Sequence, residues 1–246
     1  MAGDLIPAGF TGRPVRVHLA DAGARAVTLL GRVNEKSGAA FPACTDDQRA
    51  AVALTGDRRQ EFLAGRTLLR HAVAELTGVS PDSVGIGTRG SGRPVCLSNR
   101  ELDVSISHSA GRIAATAARG CEVGVDIQLP VPVSARLLHR YSVAGAEPAT
   151  WVDTAPPLGV CDPTAAVSDV GERPWAAQVD DTHYEFADAW TVREACAKSL
   201  GLSLGADLWR IHVPPTARSG TWGGAHWRRM SPFQGCPVAL ALRPRT

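Results

Sequence analysis

The chain has 246 residues, 44% of them hydrophobic and 20% charged, which suits one large soluble domain or two small ones with their own cores. A formal net charge of +2 is far below what a protein coating a nucleic-acid duplex carries, so no nucleic-acid partner is expected and any anion site must be local. The cysteines Cys44, Cys96, Cys121, Cys161, Cys196 and Cys236 form no CxxC pair and no zinc-type spacing, as expected of a reduced cytoplasmic chain. Met1 to Pro14 lacks the basic start and apolar stretch of an export signal, and no later run reaches membrane-spanning length.

In chain order, the first clear element is RRQEFLAGRTLLRHAVAELTG, where Phe62, Leu69, Val73 and Leu76 recur at helical spacing and Gly78 stops the helix. A Gly/Ser/Arg loop from Gly85 to Pro94 follows. LDVSISHS then alternates Leu102, Val104 and Ile106 with Asp103, Ser105 and Ser107, which is strand periodicity. RIAATAAR continues as a second strand. In EVGVDIQL, Val123, Val125 and Ile127 share one face while Gly124, Asp126 and Gln128 share the other.

The segment 142–181 is rich in Pro, Ala, Gly and Asp and reads as a long loop whose Trp151 and Trp175 either anchor it to the core or await a protein partner. A second helix is predicted from about Tyr184 to Gly201. Its sequence EFADAWTVREACAKSLG overlays EFLAGRTLLRHAVAELT without a gap, with Glu, Phe, Thr and Leu coinciding. LWRIHV and PVALALR alternate as strands after it, so the order helix then strands occurs twice, which points to a duplication with a ligand cleft between two halves.

Trp190, Glu194 and Lys198 lie at i, i+4 and i+8 on the second helix and so form one face. Asp126 is flanked by Val125 and Ile127, and a buried carboxylate needs a cation or a partner. Asp126, Glu194 and the carbonyl of Gln128 together make a hard oxygen set of the kind Mg²⁺ takes alongside phosphate oxygens. His108, Arg93, Arg66 and Lys198 are suited to anionic oxygens. GTRGSGRP has P-loop glycines but Arg93 and Pro94 where that motif needs Lys and Ser or Thr. A Ser107, His108, Asp126 triad lacks the GxSxG elbow, and neighbouring strand residues point to opposite faces.

FLAGRTLLR at 62–70, GRPVC at 92–96 ahead of VSISHSAG at 104–111, VGVDIQ at 123–128 and WTVREACAKSLG at 190–201 resemble, in order, the signatures of the Sfp-type 4′-phosphopantetheinyl transferases. The resemblance implies an α+β fold, a pseudodimer of two similar helix-plus-antiparallel-sheet halves, 1–125 and 126–246, with the active site in the cleft between them. It implies a monomer that transfers the phosphopantetheine of coenzyme A to a serine of an acyl or peptidyl carrier protein, with fatty acid, polyketide and nonribosomal peptide biosynthesis all open as the pathway. By position, Asp126 and Glu194, with Gln128 where many members have Glu, would hold Mg²⁺. Lys198, Arg93, Ser107 and His108 would meet coenzyme A phosphates, and Arg66 and Arg58 its 3′-phosphoadenosine end. Glu194 or a water on the metal would take the serine proton. The rival readings are a coenzyme A or nucleotide binding module without turnover, for which Gln128 argues, and a Mg²⁺-dependent pyrophosphate hydrolase.

Overall fold

A computed structural model describes residues 10–19, 24–33, 44–90, 92–144, 159–161, 179–202 and 206–245. Among these, β1 (Phe10–Leu19) and β2 (Ala24–Val33) form an antiparallel pair, followed by α1 (Thr45–Ala50) and α2 (Gly56–Thr77). Next come the hairpin β3 (Ile86–Thr88) and β4 (Pro94–Cys96), then β5 (Leu102–Ser109), β6 (Arg112–Arg119) and β7 (Cys121–Ile127). The order closes with α3 (Ala135–Ala144), β8 (Gly159–Cys161), α4 (Asp181–Leu200), β9 (Ser219–Trp222), β10 (Ala225–Phe233) and β11 (Cys236–Pro244). The fold class is α+β.

One sheet has the order β5-β6-β2-β1-β8 and the other β7-β11-β10-β9, with antiparallel pairing throughout. Strand alternation sorts the apolar residues into three cores. Leu29, Val104, Ile113, Ala115 and Ala117 pack with Leu68, Leu69 and Val73 of α2. The opposite faces of both sheets meet through Val15, Val17, Leu30, Val123, Val125, Val238 and Leu240. Ala239 and Ala241 pack with Trp227 against Val192, Ala195 and Cys196 of α4. The layers thus run helix, sheet, sheet, helix. The two halves expected from the sequence, 1–125 and 126–246, divide the chain within β7.

Both long helices end as predicted on a left-handed glycine, Gly78 at φ 78° and Gly201 at φ 67°. Asp180 caps α4 by accepting from the His183 backbone N–H at 3.0 Å. Three sequence expectations need correction. LWRIHV is no strand: residues 206–210 form a 3₁₀ turn, and Leu208, Ile211 and Val213 are buried in the core beneath α4, so Trp209, Ile211 and Val213 alternate without any strand pairing. The loop from Gly85 to Pro94 contains β3 and the start of β4, with Gly92 at φ 83° in the turn. The segment 142–181 contains β8, which pairs Gly159–Cys161 with His18, Val17 and Arg16, and so adds an edge strand to the first sheet. Trp151 and Trp175 lie outside the described residues.

Candidate active site

The site is built where α4 crosses β7. Gly124 lets it form: a Cβ there would stand 2.0 Å from Ala195 O and 2.7 Å from Ser199 N, so only glycine allows the helix backbone this close. Two residues on, Asp126 is buried against the same helix. Lys198 Nζ donates to Asp126 Oδ1 at 2.6 Å and to Val125 O at 3.2 Å, and stands 3.4 Å from Glu194 Oε2. Trp190 Nε1 donates to Glu194 Oε1 at 2.8 Å, so the predicted Trp190, Glu194, Lys198 face is assembled as one bonded row. From β5, Ser107 Oγ donates to Asp126 Oδ1 at 2.6 Å.

Burial pushes the Asp126 carboxyl pKa up to about 6 although Lys198 opposes it. For Lys198, burial pulls the pKa down but the Asp126 and Glu194 carboxylates outweigh it, and the net shift is upward. Asp126 Oδ1 therefore accepts two bonds while its Oδ2 is buried without any hydrogen-bond partner. An orphaned carboxylate oxygen on a residue that shares the Lys198 ammonium with a second carboxylate fits a divalent cation. Among the described residues no three His, Cys, Asp or Glu side chains converge, so protein ligation here rests on two carboxylates. Such a donor set suits Mg²⁺, which keeps most of its shell for water and phosphate.

The structure distributes the other predicted residues more widely. Arg93 points inward: its guanidinium donates to Lys198 O, to Asp103 Oδ2 and, at 3.0 Å, to Val123 O. His108 lies on the face of β5 opposite Ser107, half exposed, with Nδ1 3.0 Å from Glu61 Oε2 of α2. Arg66 is buried, donates to Gly87 O at 2.8 Å and to Thr88 Oγ1, and lies 5.1 Å over the Phe62 ring, with its pKa lowered first by burial. Arg58 is exposed near the start of α2. Gln128, just past β7, uses its amide nitrogen on Leu129 O at 3.2 Å.

Asp103, Ser105 and Glu61 escaped the sequence reading. Asp103 and Ser105 share the alternation of Ser107 on β5, which was the available signal. Glu61 has none, because its partner lies 47 positions away across a helix-to-strand contact. A separate cavity of about 510 Å³ between β1 and β10 is lined by Arg13, Arg218, Arg228 and Arg229 and contains none of the predicted site residues. No helix among the described residues is long and apolar enough to cross a membrane.

Residues 46–118, from α1 into β6, match a family model described as the 4′-phosphopantetheinyl transferase N-terminal domain. That segment carries Arg58, Arg66, Arg93, Ser107 and His108, whereas Asp126, Glu194 and Lys198 follow it in the chain. No curated protein matches the chain. The match supports phosphopantetheinyl transfer, chemistry for which that family uses coenzyme A as substrate. The matched segment, residues 46–118, agrees with the order of the motifs and is similar to the N-terminal domain of the 4′-phosphopantetheinyl transferase family.

Proposed function

We propose that the chain transfers the 4′-phosphopantetheine group of coenzyme A to a serine of an acyl or peptidyl carrier protein, with Mg²⁺, releasing adenosine 3′,5′-bisphosphate. The observation that carries this reading is the unpartnered, buried Asp126 Oδ2 beside Glu194 and Lys198. The serine oxygen attacks the pantetheine-side phosphorus, the bond from that phosphorus to the bridging oxygen breaks, and the bridging oxygen leaves on the adenosine bisphosphate. Asp126 Oδ2 and Glu194, with Gln128 as a third candidate oxygen ligand, would hold Mg²⁺, which when bound neutralises the pyrophosphate and the leaving group.

The chain's own residues do the rest. Lys198, held by Asp126, supplies a fixed positive charge at the phosphates, so little reorganisation is needed as charge moves to the leaving oxygen. Glu194 Oε2 is the proton acceptor for the serine hydroxyl, because Oε1 is committed to Trp190. Ser107 and Arg93 set Asp126 and the last turn of α4, while His108 and, further off, Arg66 and Arg58 form the basic side on which the rest of coenzyme A is held. The two helix-on-sheet layers support the pseudodimer arrangement, with the site in the seam between them.

Incubating the chain with coenzyme A, Mg²⁺ and an apo carrier protein, then weighing the carrier, tests the reading. A gain of one phosphopantetheine is expected. Hydrolysed coenzyme A with an unmodified carrier, or bound coenzyme A with no turnover, would refute it.

A further inference from the structure

β10 runs on past its neighbour. β9 pairs with it only from Ala225↔Trp222 to Arg228↔Ser219, and one further bond, from the Arg229 backbone N–H to Arg218 O at 2.8 Å, ends that ladder. Beyond it β10 continues to Phe233, with its register against β11 broken between Met230 and Phe233. Arg13 of β1, in the other sheet, reaches across and donates to Ser231 O at 2.8 Å. The space left between β1, this end of β10, Asp188 of α4 and the chain from Pro214 to Arg218 is the cavity of about 510 Å³.

The charge around this cavity is one-sided. Among the described residues lining it are the guanidiniums of Arg13, Arg218, Arg228 and Arg229 against the single carboxylate of Asp188. That carboxylate is already engaged, since Arg229 Nε stands 2.5 Å from Asp188 Oδ2. Arg229 Nη1 in turn donates to Pro214 O at 3.1 Å and to Ala217 O, which ties the loop to β10. Glu185, one turn before Asp188 on α4, is exposed and outside the lining. In a chain whose formal net charge is only +2, this is a local concentration of cations. Guanidiniums do not deprotonate in proteins, so their mutual repulsion is relieved by an anion and not by loss of a proton.

We propose that this cavity is a second ligand site, which takes a small polyanion and holds its phosphate or carboxylate groups with Arg13, Arg218, Arg228 and Arg229. The inference does not rest on the proposed function, because Asp126, Glu194 and Lys198 are all outside the lining. Guanidinium forks take either kind of oxyanion in paired, charge-assisted bonds. The volume falls in the usual range of small-molecule sites, roughly 300–1,000 Å³, and is too small for a folded partner. Arg13, Arg228 and Arg229 are half-buried, so they lose little rotamer freedom when a ligand arrives. Arg218 is exposed, its side chain has no partner among the described residues, and it closes on the ligand.

Isothermal titration of the intact chain in magnesium-free buffer, with tripolyphosphate and separately with citrate, tests this. Binding of tripolyphosphate alone identifies a phosphorylated ligand, binding of citrate alone a polycarboxylate, and binding of both a site open to either; binding of neither overturns the proposal. For the anion that binds, Arg218→Glu reverses a charge at an exposed position and should weaken affinity roughly tenfold to a hundredfold, from the loss of a charged hydrogen bond. Arg218→Lys, which keeps the charge without the fork, should fall between the two. Raising salt from about 0.1 M to about 1 M shortens the screening length from about 10 Å to about 3 Å and should weaken wild-type binding at least roughly tenfold. Equal affinity in wild type and Arg218→Glu would overturn the proposal and move the anion elsewhere, with Lys198 the candidate. Carrier-protein modification by Arg218→Glu should proceed at the wild-type rate, and a loss of transfer would make the cavity part of the active site instead of a second one. A wild-type chain without any transfer refutes the proposed function alone, and the titrations still decide the cavity.

Discussion

Gly124→Ala adds one methyl group where β7 meets α4. Its Cβ would lie 2.0 Å from Ala195 O, 2.7 Å from Ser199 N and 2.8 Å from Lys198 Cβ, whereas ordinary contact begins near 3.4 Å. The first two neighbours are helix backbone and cannot rotate aside. Relief requires α4 to move from β7 by up to about 3.4 − 2.0 = 1.4 Å. Overpacking of a close-packed contact costs about 1–3 kcal/mol, and the rigid backbone neighbours place this site at the upper end. The same movement would lengthen the 2.6 Å bond between Lys198 and Asp126 beyond hydrogen-bond reach. Misplacement of about 1 Å at a reacting centre costs on the order of a hundredfold in rate. Urea unfolding gives the first number and carrier-protein modification the second. Gly85→Ala, whose Cβ would meet Leu97 Cβ at 3.4 Å, is the tolerated control. An unchanged unfolding midpoint together with wild-type transfer for Gly124→Ala would refute the close-approach argument.

Asp126→Asn and Glu194→Gln should each lower carrier modification by roughly a hundredfold or more while circular dichroism stays native, since each removes charge from the cation site; near wild-type turnover in either would refute the assignment. Asp47→Ala leaves the buried Arg70 guanidinium without its carboxylate and should cost about 3–5 kcal/mol in chemical denaturation, with Asp47→Leu/Arg70→Met recovering most of it. An unchanged midpoint for Asp47→Ala would show that Arg70 needs no anion. Burial pushes the Cys121 and Cys196 thiols up to about 12, whereas Cys44 is exposed, so peptide mapping after native alkylation should find Cys44 modified first and the other two only after unfolding. Arg93→Ala should destabilise the chain and lower kcat more than it raises KM for coenzyme A, and Asp103→Ala should do the same without adding to it. A change confined to KM would instead make Arg93 a phosphate contact.

The long helices, β5 to β7 and β11 were legible because each carries a strong period and, for the helices, a glycine stop. The Trp190, Glu194, Lys198 face followed from helical spacing alone, and the structure joins it to Asp126. Tertiary geometry was not legible. Nothing local in GSGRP tells whether Arg93 faces solvent or turns inward, and its three internal acceptors lie on β5, β7 and α4. LWRIHV misled because Trp209 packs on Trp190 of α4 while Ile211 and Val213 are buried in the core beneath that helix, so side chains two apart meet apolar surroundings without a backbone ladder. β8 was hidden because three residues of edge strand, Gly159–Cys161, are too short to show alternation.

The seam between the sheets explains why a carboxylate can be kept buried at this point. β5 and β7 run parallel side by side, yet they are joined by side chains instead of a backbone ladder. Asp103 Oδ2 accepts the Val123 N–H at 2.8 Å, Ser105 Oγ the Val125 N–H at 3.1 Å and Ser109 Oγ the Leu129 N–H at 2.9 Å, each across the same offset of 20 residues. The alternate polar residues of β5 thereby satisfy the edge of β7 that β11 does not pair. Ser107 occupies the one place in this series where the bond goes to a side chain, Asp126, and not to a backbone N–H. Side chains bridge the two strands where a backbone ladder would otherwise run, and within this seam Asp126 accepts both Ser107 from β5 and the Lys198 ammonium that reaches it from α4. The register that joins the two sheets therefore also sets the reactive carboxylate, and a substitution anywhere along Asp103, Ser105, Ser107 and Ser109 bears on the site through the position of β7.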